Sequence, residues 1–180
     1  MQNKLVWIDC EMTGLNVSSD QIIEIAVLIT DSYLKLLDEG LNIVIRIDEE
    51  KISSMVDVVK QMHTQSLLIE EIRQSNIDII TAENVILDYI LSHIKNNNSA
   101  LLAGNSISTD RKFIARDMIR LDNYLHYRMI DVSSVKELCR RWFPKFYLKK
   151  PEKNFTHRAL ADIYESVKEL RYYKSALVIT

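Results

Sequence analysis

An α/β fold built on five strands is predicted by three observations. Five segments that read as apolar strands recur along the chain, at residues 4–9, 21–30, 34–48, 100–104 and 128–132. The first three are separated only by turns, as in an antiparallel meander, whereas helical spacing fills the gaps between the later ones. The length of 180 residues suits one core, and no linker or internal repeat divides the chain, so residues 1–180 are expected to form a single domain.

Each element has its own signal. The run Leu5-Val6-Trp7-Ile8 reads as a buried strand ended by Asp9. Residues 21–30 (QIIEIAVLIT) are almost wholly apolar, with Glu24 as an internal charge. In 41–47 (LNIVIRI) the odd positions are apolar and Asn42 and Arg46 interrupt the even ones, the alternation of a half-exposed strand. From 52 to 75 the spacing turns helical, and two short helices are expected to meet near His63-Thr64. Thr81 is placed to cap a helix running to about Lys95, with Glu83 near its positive end and Ile86, Ile90 and Ile94 along one face. Asn96-Asn97-Asn98-Ser99 ends it. A buried strand at 100–104 leads into a helix at 109–121, and the strand at 128–132 leads into a helix ending near Trp142. Residues 143–156 read as a polar, Lys-rich loop, and helices at 157–170 and 172–177 close the chain.

Composition bounds the function. Lys and Arg number 23 against 25 Asp and Glu, giving a net charge of −2, which argues against a broad basic face for coating long nucleic acid. No apolar stretch approaches the ~20 residues of a spanning helix, and the run before Asp9 is too short for a signal-peptide core. Cys10 and Cys139 are far apart and match no metal spacing, so both read as free thiols in a reducing, cytoplasmic setting.

Chemistry concentrates at a few carboxylates. Asp9 and Glu11 are two apart at the end of the first strand, so they project to one face, and strand C-termini are where α/β sheets place their sites. Asp110 opens the helix after Gly104-Asn105-Ser106, a segment that permits close backbone approach and supplies polar donors. His157 and Asp162 are five apart, about 140° around a helix, so they converge only if His157 sits at the loop-to-helix junction. Taken singly, each fits a bland role: a solvated strand edge, a helix-dipole partner, an exposed helix start. Four carboxylates meeting at one sheet edge would repel one another without a counter-cation. Two divalent ions, Mg²⁺ or Mn²⁺, suit an all-oxygen donor set and would form a clamp for displacement at phosphorus, with a neutral histidine to take a proton from water.

The set Asp9-x-Glu11, Asp110 and His157-x4-Asp162 resembles the DEDD exonucleases of the histidine-containing branch. The segments WIDCEMTGL (7–15), GNSI (104–107), HYRMIDVS (126–133) and KELCRRW (136–142) are similar to the oligoribonuclease family, a likeness running from about Leu5 to Tyr173. The resemblance implies a ribonuclease-H-like fold with a five-stranded mixed sheet flanked by helices. It implies 3′-to-5′ hydrolysis of short RNA, dinucleotides included, to 5′-mononucleotides. By position, Asp9, Glu11, Asp110 and Asp162 would hold two divalent metal ions and His157 would be the general base. Ser106, Arg128 and Ser133 would cap the 5′ phosphate, Leu15 would pack on bases, and His63 would lie beside the substrate. Tyr127 would reach the site from a second subunit, since the family is homodimeric. Three positions depart from the family: Val58-Val59 stand where it carries Trp-Asn, and Leu67 stands where it carries Gly. Those changes bear on base contacts, not on the metal ligands. A histidine-type DEDD exonuclease acting on longer RNA or DNA ends is the nearest rival, and a non-catalytic RNA-binding scaffold is a more distant one. The retention of all four acids and the histidine weighs against the scaffold.

Overall fold

The computed structural model describes residues 4–96, 99–152 and 157–178. Its five strands are β1 (Leu5–Met12), β2 (Ile22–Thr30), β3 (Leu41–Val44), β4 (Ala100–Gly104) and β5 (Leu125–Asp131). They form one mixed sheet in the order β3-β2-β1-β4-β5. The meander β1–β2–β3 is antiparallel, and β4 and β5 add parallel to β1. The helices among the described residues are α1 (Glu49–Ser53), α2 (Asp57–Gln65), α3 (Leu68–Gln74), α4 (Ile79–His93), α5 (Ser108–Asp117), α6 (Ile119–Tyr124), α7 (Val132–Trp142), α8 (Pro144–Tyr147) and α9 (Ala159–Val178).

The parity of β1 divides the core. Val6, Ile8 and Cys10 pack on one face of the sheet with Ile86 and Ile90 of α4 and Phe113 and Ile114 of α5. Leu5 and Trp7 pack on the other face with Ala159, Ile163 and Val167 of α9. Side chains alternate along a strand, so Asp9 and Glu11 continue the odd-numbered row toward α9. A third apolar cluster, Ile23, Ile52, Met55, Leu68, Ile69 and Ile72, seats α1 and α3 near the start of β2.

Gly104 ends β4 where two backbones meet. A Cβ there would lie 2.8 Å from the Ile8 carbonyl oxygen and 2.7 Å from Ile107 Cδ1, closer than real Cβ contacts allow. β4 therefore stops beside Ile8, while β1 runs on to Met12 without a neighbour on that side.

Several boundaries differ from the sequence expectation. The segment 49–74 holds three helices, and the break falls at Ser66-Leu67, past His63-Thr64, because Leu67 adopts φ 62°. Asp78, not Thr81, caps α4: its side chain accepts the Thr81 N–H at 2.7 Å. Glu83 is buried and accepts the Arg120 and Leu121 amides, so it caps α6 rather than serving α4. The helix after β4 is interrupted at Met118, and β5 begins at Leu125, because Ala100 of β4 pairs with it. Part of the Lys-rich loop is helical, with Pro144 at the start of α8. The two closing helices are one, since no Gly or Pro interrupts 159–178. The expected helix end at Asn97-Asn98 and the loop residues 153–156 lie outside the described residues.

Candidate active site

The unpaired end of β1 builds the site. The Cys10 N–H, with no β4 partner left, donates to Asp110 Oδ1 at 2.9 Å. This draws the first turn of α5 over the strand end and buries Asp110. From the opposite face, α9 brings Asp162 to Asp9 and Glu11. One carboxylate oxygen from each of Asp9, Glu11 and Asp162 lies within 4.8 Å of the other two. Asp110 is not a member of that tight group, but it lines the same cleft.

The cleft has a volume of about 380 Å³. Asp9, Glu11, Asp110, Asp162, His157, Ser106 and Leu15 all line it, so seven of the sequence-derived candidates meet in one place. His157 sits at the junction preceding α9, with φ 51°, which removes the helical constraint that would set it 140° from Asp162. Ser106, at the turn after β4, has φ 55°. Left-handed backbone at residues with a Cβ is uncommon and gathers at functional positions.

Acidic groups crowd the cleft. Burial raises the Asp9 carboxyl well above the ordinary range, reinforced by Asp110, Asp162 and Glu11. Burial, then Asp162 and Glu24, push Glu11 up to about 8. Burial lifts Asp110 to about 7 against the opposing pull of its backbone hydrogen bonds, the Cys10 amide among them. The Cys10 thiol is driven upward by burial and the surrounding acids, so it is not a thiolate nucleophile. Crowded carboxylates that resist ionisation are what a divalent ion would relieve, and the all-oxygen donor set suits Mg²⁺ or Mn²⁺.

The remaining candidates do not line the cleft. His63 is fully buried; its Nε2–H donates to the Met12 carbonyl at 2.9 Å, and Nδ1 faces Glu11 Oε2 at 4.0 Å. Burial holds its pKa below the usual value. Ser133, at the start of α7, donates to Asn105 Oδ1 at 2.7 Å, which leaves the Ser106 hydroxyl to donate to Ser133 Oγ at 2.9 Å. Tyr127 and Arg128 lie on the exposed part of edge strand β5, with the Arg128 guanidinium 5.2 Å from the Tyr127 ring centre. Val58 of α2 is exposed and Val59 packs against the third cluster.

Asn105, Thr109, Glu165 and Ser166 also line the cleft and were not singled out as site residues from sequence. Glu165 and Ser166 follow Asp162 by three and four positions, the helical spacing that places them on its face.

An exonuclease family model, RNase_T, matches residues 6–170. The oligoribonuclease of Mycobacterium sp. strain KMS is 59% identical over 179 residues, covering 99% of this chain and 83% of that protein. The oligoribonuclease of Mycobacterium leprae strain TN is 60% identical over 174 residues, covering 97% and 81%. Among solved structures, the zinc-bound complex of Escherichia coli exonuclease I with single-stranded DNA aligns with a TM-score of 0.76 at 15% identity, covering 98% of this chain and 41% of that one. An exonuclease I from Methylocaldum szegediense aligns at 0.69 and 15%, covering 96% and 40%. The chain thus spans about two fifths of those exonuclease I chains, and the likeness is one of fold: a ribonuclease-H-like mixed sheet flanked by helices.

Proposed function

The chain belongs to the oligoribonuclease family of exonucleases, and on that premise we propose that it is a 3′-to-5′ exoribonuclease that hydrolyses short oligoribonucleotides, dinucleotides included, to 5′-mononucleotides. The observation that carries this reading is the convergence of Asp9, Glu11 and Asp162 within 4.8 Å in a cleft that Asp110 and His157 also line. Residues 1–180 would act as one exonuclease domain, as a homodimer in the cytoplasm. Among the described residues no helix is long and apolar enough to cross a membrane.

Asp9, Glu11, Asp110 and Asp162 would hold two divalent ions. Such ions, when bound, activate water and stabilise the leaving oxygen at a phosphodiester. The chain's own groups supply the rest. His157 would take the proton of the attacking water, a role that general bases fill at a typical value of ~10²–10⁴ in rate. Asp162, on the same helix start, keeps the acids and the base in one frame. Ser106 and Ser133, joined by a hydrogen bond, would turn their hydroxyl protons from Ser133 Oγ and Asn105 Oδ1 to the terminal 5′ phosphate, together with Arg128, whose planar fork matches a phosphate. Leu15, 75% exposed at the cleft rim, would pack on a base, and His63 would border the substrate beside Glu11. Tyr127, 73% exposed on an edge strand, is available to a second copy's site.

The test is turnover of a labelled length series, from dinucleotide to about ten residues, with and without EDTA. The expected result is fastest turnover of the shortest substrates and loss of activity on chelation. Strong preference for the longest would overturn the short-RNA reading in favour of a nuclease for longer 3′ ends. His157→Ala and Asp162→Asn are expected to abolish most hydrolysis while the protein stays folded by circular dichroism; full turnover in either refutes its role.

A further inference from the structure

The start of α9 is anchored by charge. Glu24, near the start of β2, is fully buried. Its Oε1 accepts from Arg158 twice, from Nε at 3.0 Å and Nη2 at 2.8 Å, and from Asn42 Nδ2 at 2.8 Å. Its Oε2 accepts the Ala159 N–H at 3.0 Å, the first amide of α9. The same guanidinium meets Glu71 of α3, with Nη1 at 2.7 Å and Nη2 at 2.6 Å from its two oxygens. Nη1 also reaches the Ser66 carbonyl, just past α2, at 3.4 Å. One planar group therefore ties β2, α3 and the end of α2 to the residue before α9. A buried carboxylate is tolerated only when paired and hydrogen-bonded in this way.

Arg158 stands next to His157 and one helical turn before Asp162. Its carbonyl accepts the Asp162 N–H at 3.0 Å, so it helps fix both residues through the backbone. His157 holds φ 51°, a conformation that persists only where the surroundings over-determine it. The adjacent residue is locked by two carboxylates. Glu24, Arg158 and Glu71 do not line the cleft, so they have no direct route to substrate.

We propose that Arg158, held between Glu24 and Glu71, is the positioning residue that sets His157 and Asp162 toward the cleft. This rests on the roles given above to those two residues. A guanidinium fork is required, because a lysine ammonium keeps the charge but cannot span two carboxylates bidentately.

The experiment combines kinetics with histidine NMR on the full-length chain. The protein has four histidines, so four imidazole Cε1–H signals are expected, and His157→Ala assigns the one at issue. Arg158→Lys is expected to lower kcat on a dinucleotide by about tenfold or more with KM nearly unchanged, as small misplacements of catalytic groups do. It should move the His157 signal while those of His93 and His126 stay in place. Glu71→Gln, which leaves the Glu24 contacts intact, should act in the same direction more weakly, and it serves if Arg158→Lys does not fold. An unchanged kcat together with an unmoved His157 signal overturns the proposal. So does a shift of all four signals in step with a smaller folded fraction, which would mark a purely structural role. If His157→Ala keeps full turnover, the general-base assignment fails by itself, while the His157 signal in Arg158→Lys still decides whether the clamp positions that residue.

Discussion

The Asp131 carboxylate accepts the Ser106 backbone N–H at 2.9 Å. The same oxygen accepts the Ser133 N–H at 2.8 Å, so one side chain from the end of β5 holds the turn after β4 against the start of α7. The two serine hydroxyls are brought together by this shared acceptor, and Ser106 keeps its left-handed backbone there. Asp131→Ala is expected to separate them. KM for a 5′-phosphorylated dinucleotide should rise by about tenfold, the scale of one missing hydrogen bond to a charged group, with a smaller change in kcat. Removing the α7 cap should also cost about 1 kcal/mol of stability. Steady-state kinetics of 5′-phosphorylated and 5′-hydroxyl dinucleotides check this; an equal KM change for both would detach these serines from the phosphate.

The acid cluster makes the metal-free protein pH-sensitive in a defined direction. Glu11 and Asp110 sit at about 8 and about 7 in the fold, against ordinary values of 4.5 and 3.8. Between those limits the folded state binds more protons than the unfolded chain, so stability falls as pH rises. The penalty is absent below the ordinary values and complete above about 8. A divalent ion that binds the ionised acids offsets it. Thermal midpoints in EDTA should drop from pH 5 to pH 8, and saturating Mn²⁺ should raise the midpoint by several degrees more at the upper pH, as binding to the native state alone requires. Equal gains at both pH values would speak against these carboxylates as the ligands.

Much of the site was legible because it follows from local rules. The two-residue spacing of Asp9 and Glu11 puts both on the face that Trp7 shares with α9, and the Gly104 turn marks where β4 must stop. The junction position of His157 was the condition for its meeting Asp162, and the backbone satisfies it. Other features lay beyond reach for physical reasons. The break at Leu67 carries no breaker residue. The cap at Asp78 competes with an equally plausible Thr81 three residues on. The Glu24–Arg158 pair spans 134 positions, so Glu24 reads from sequence only as an unexplained charge inside an apolar strand.

Leu67 is the departure from the family pattern to which the structure gives a physical meaning. It has φ 62° and ψ 7°, and it is 63% exposed. A side chain with a Cβ is strained there by about 1–2 kcal/mol, a penalty that glycine escapes. Glycine also loses more entropy on folding, which returns part of the gain. Leu67→Gly is therefore expected to stabilise the protein by about 0.5–1 kcal/mol net, seen as a higher urea midpoint with an unchanged slope. A lower midpoint would show that Leu67 contributes packing that outweighs its backbone strain.

Gly14 governs the loop that carries Leu15. Asp20 closes that loop by accepting the Thr13 hydroxyl at 3.1 Å and the Asn16 N–H at 2.8 Å. A Cβ on residue 14 would come within 2.5 Å of the Asp20 carboxylate, so the two cannot both keep their places. Asp20 is short and engaged at both oxygens, so the loop must yield, and Leu15 with it. The acids at the end of β1 are held by the sheet and by α5 and α9, independently of this loop. Gly14→Ala should therefore raise KM for dinucleotides by several-fold while kcat and the Mn²⁺-induced gain in thermal midpoint stay near those of the parent. Packing on a base that is weakened equally in the ground state and the transition state leaves kcat untouched. A fall in kcat with KM unchanged would instead place the Leu15 loop in the chemical step.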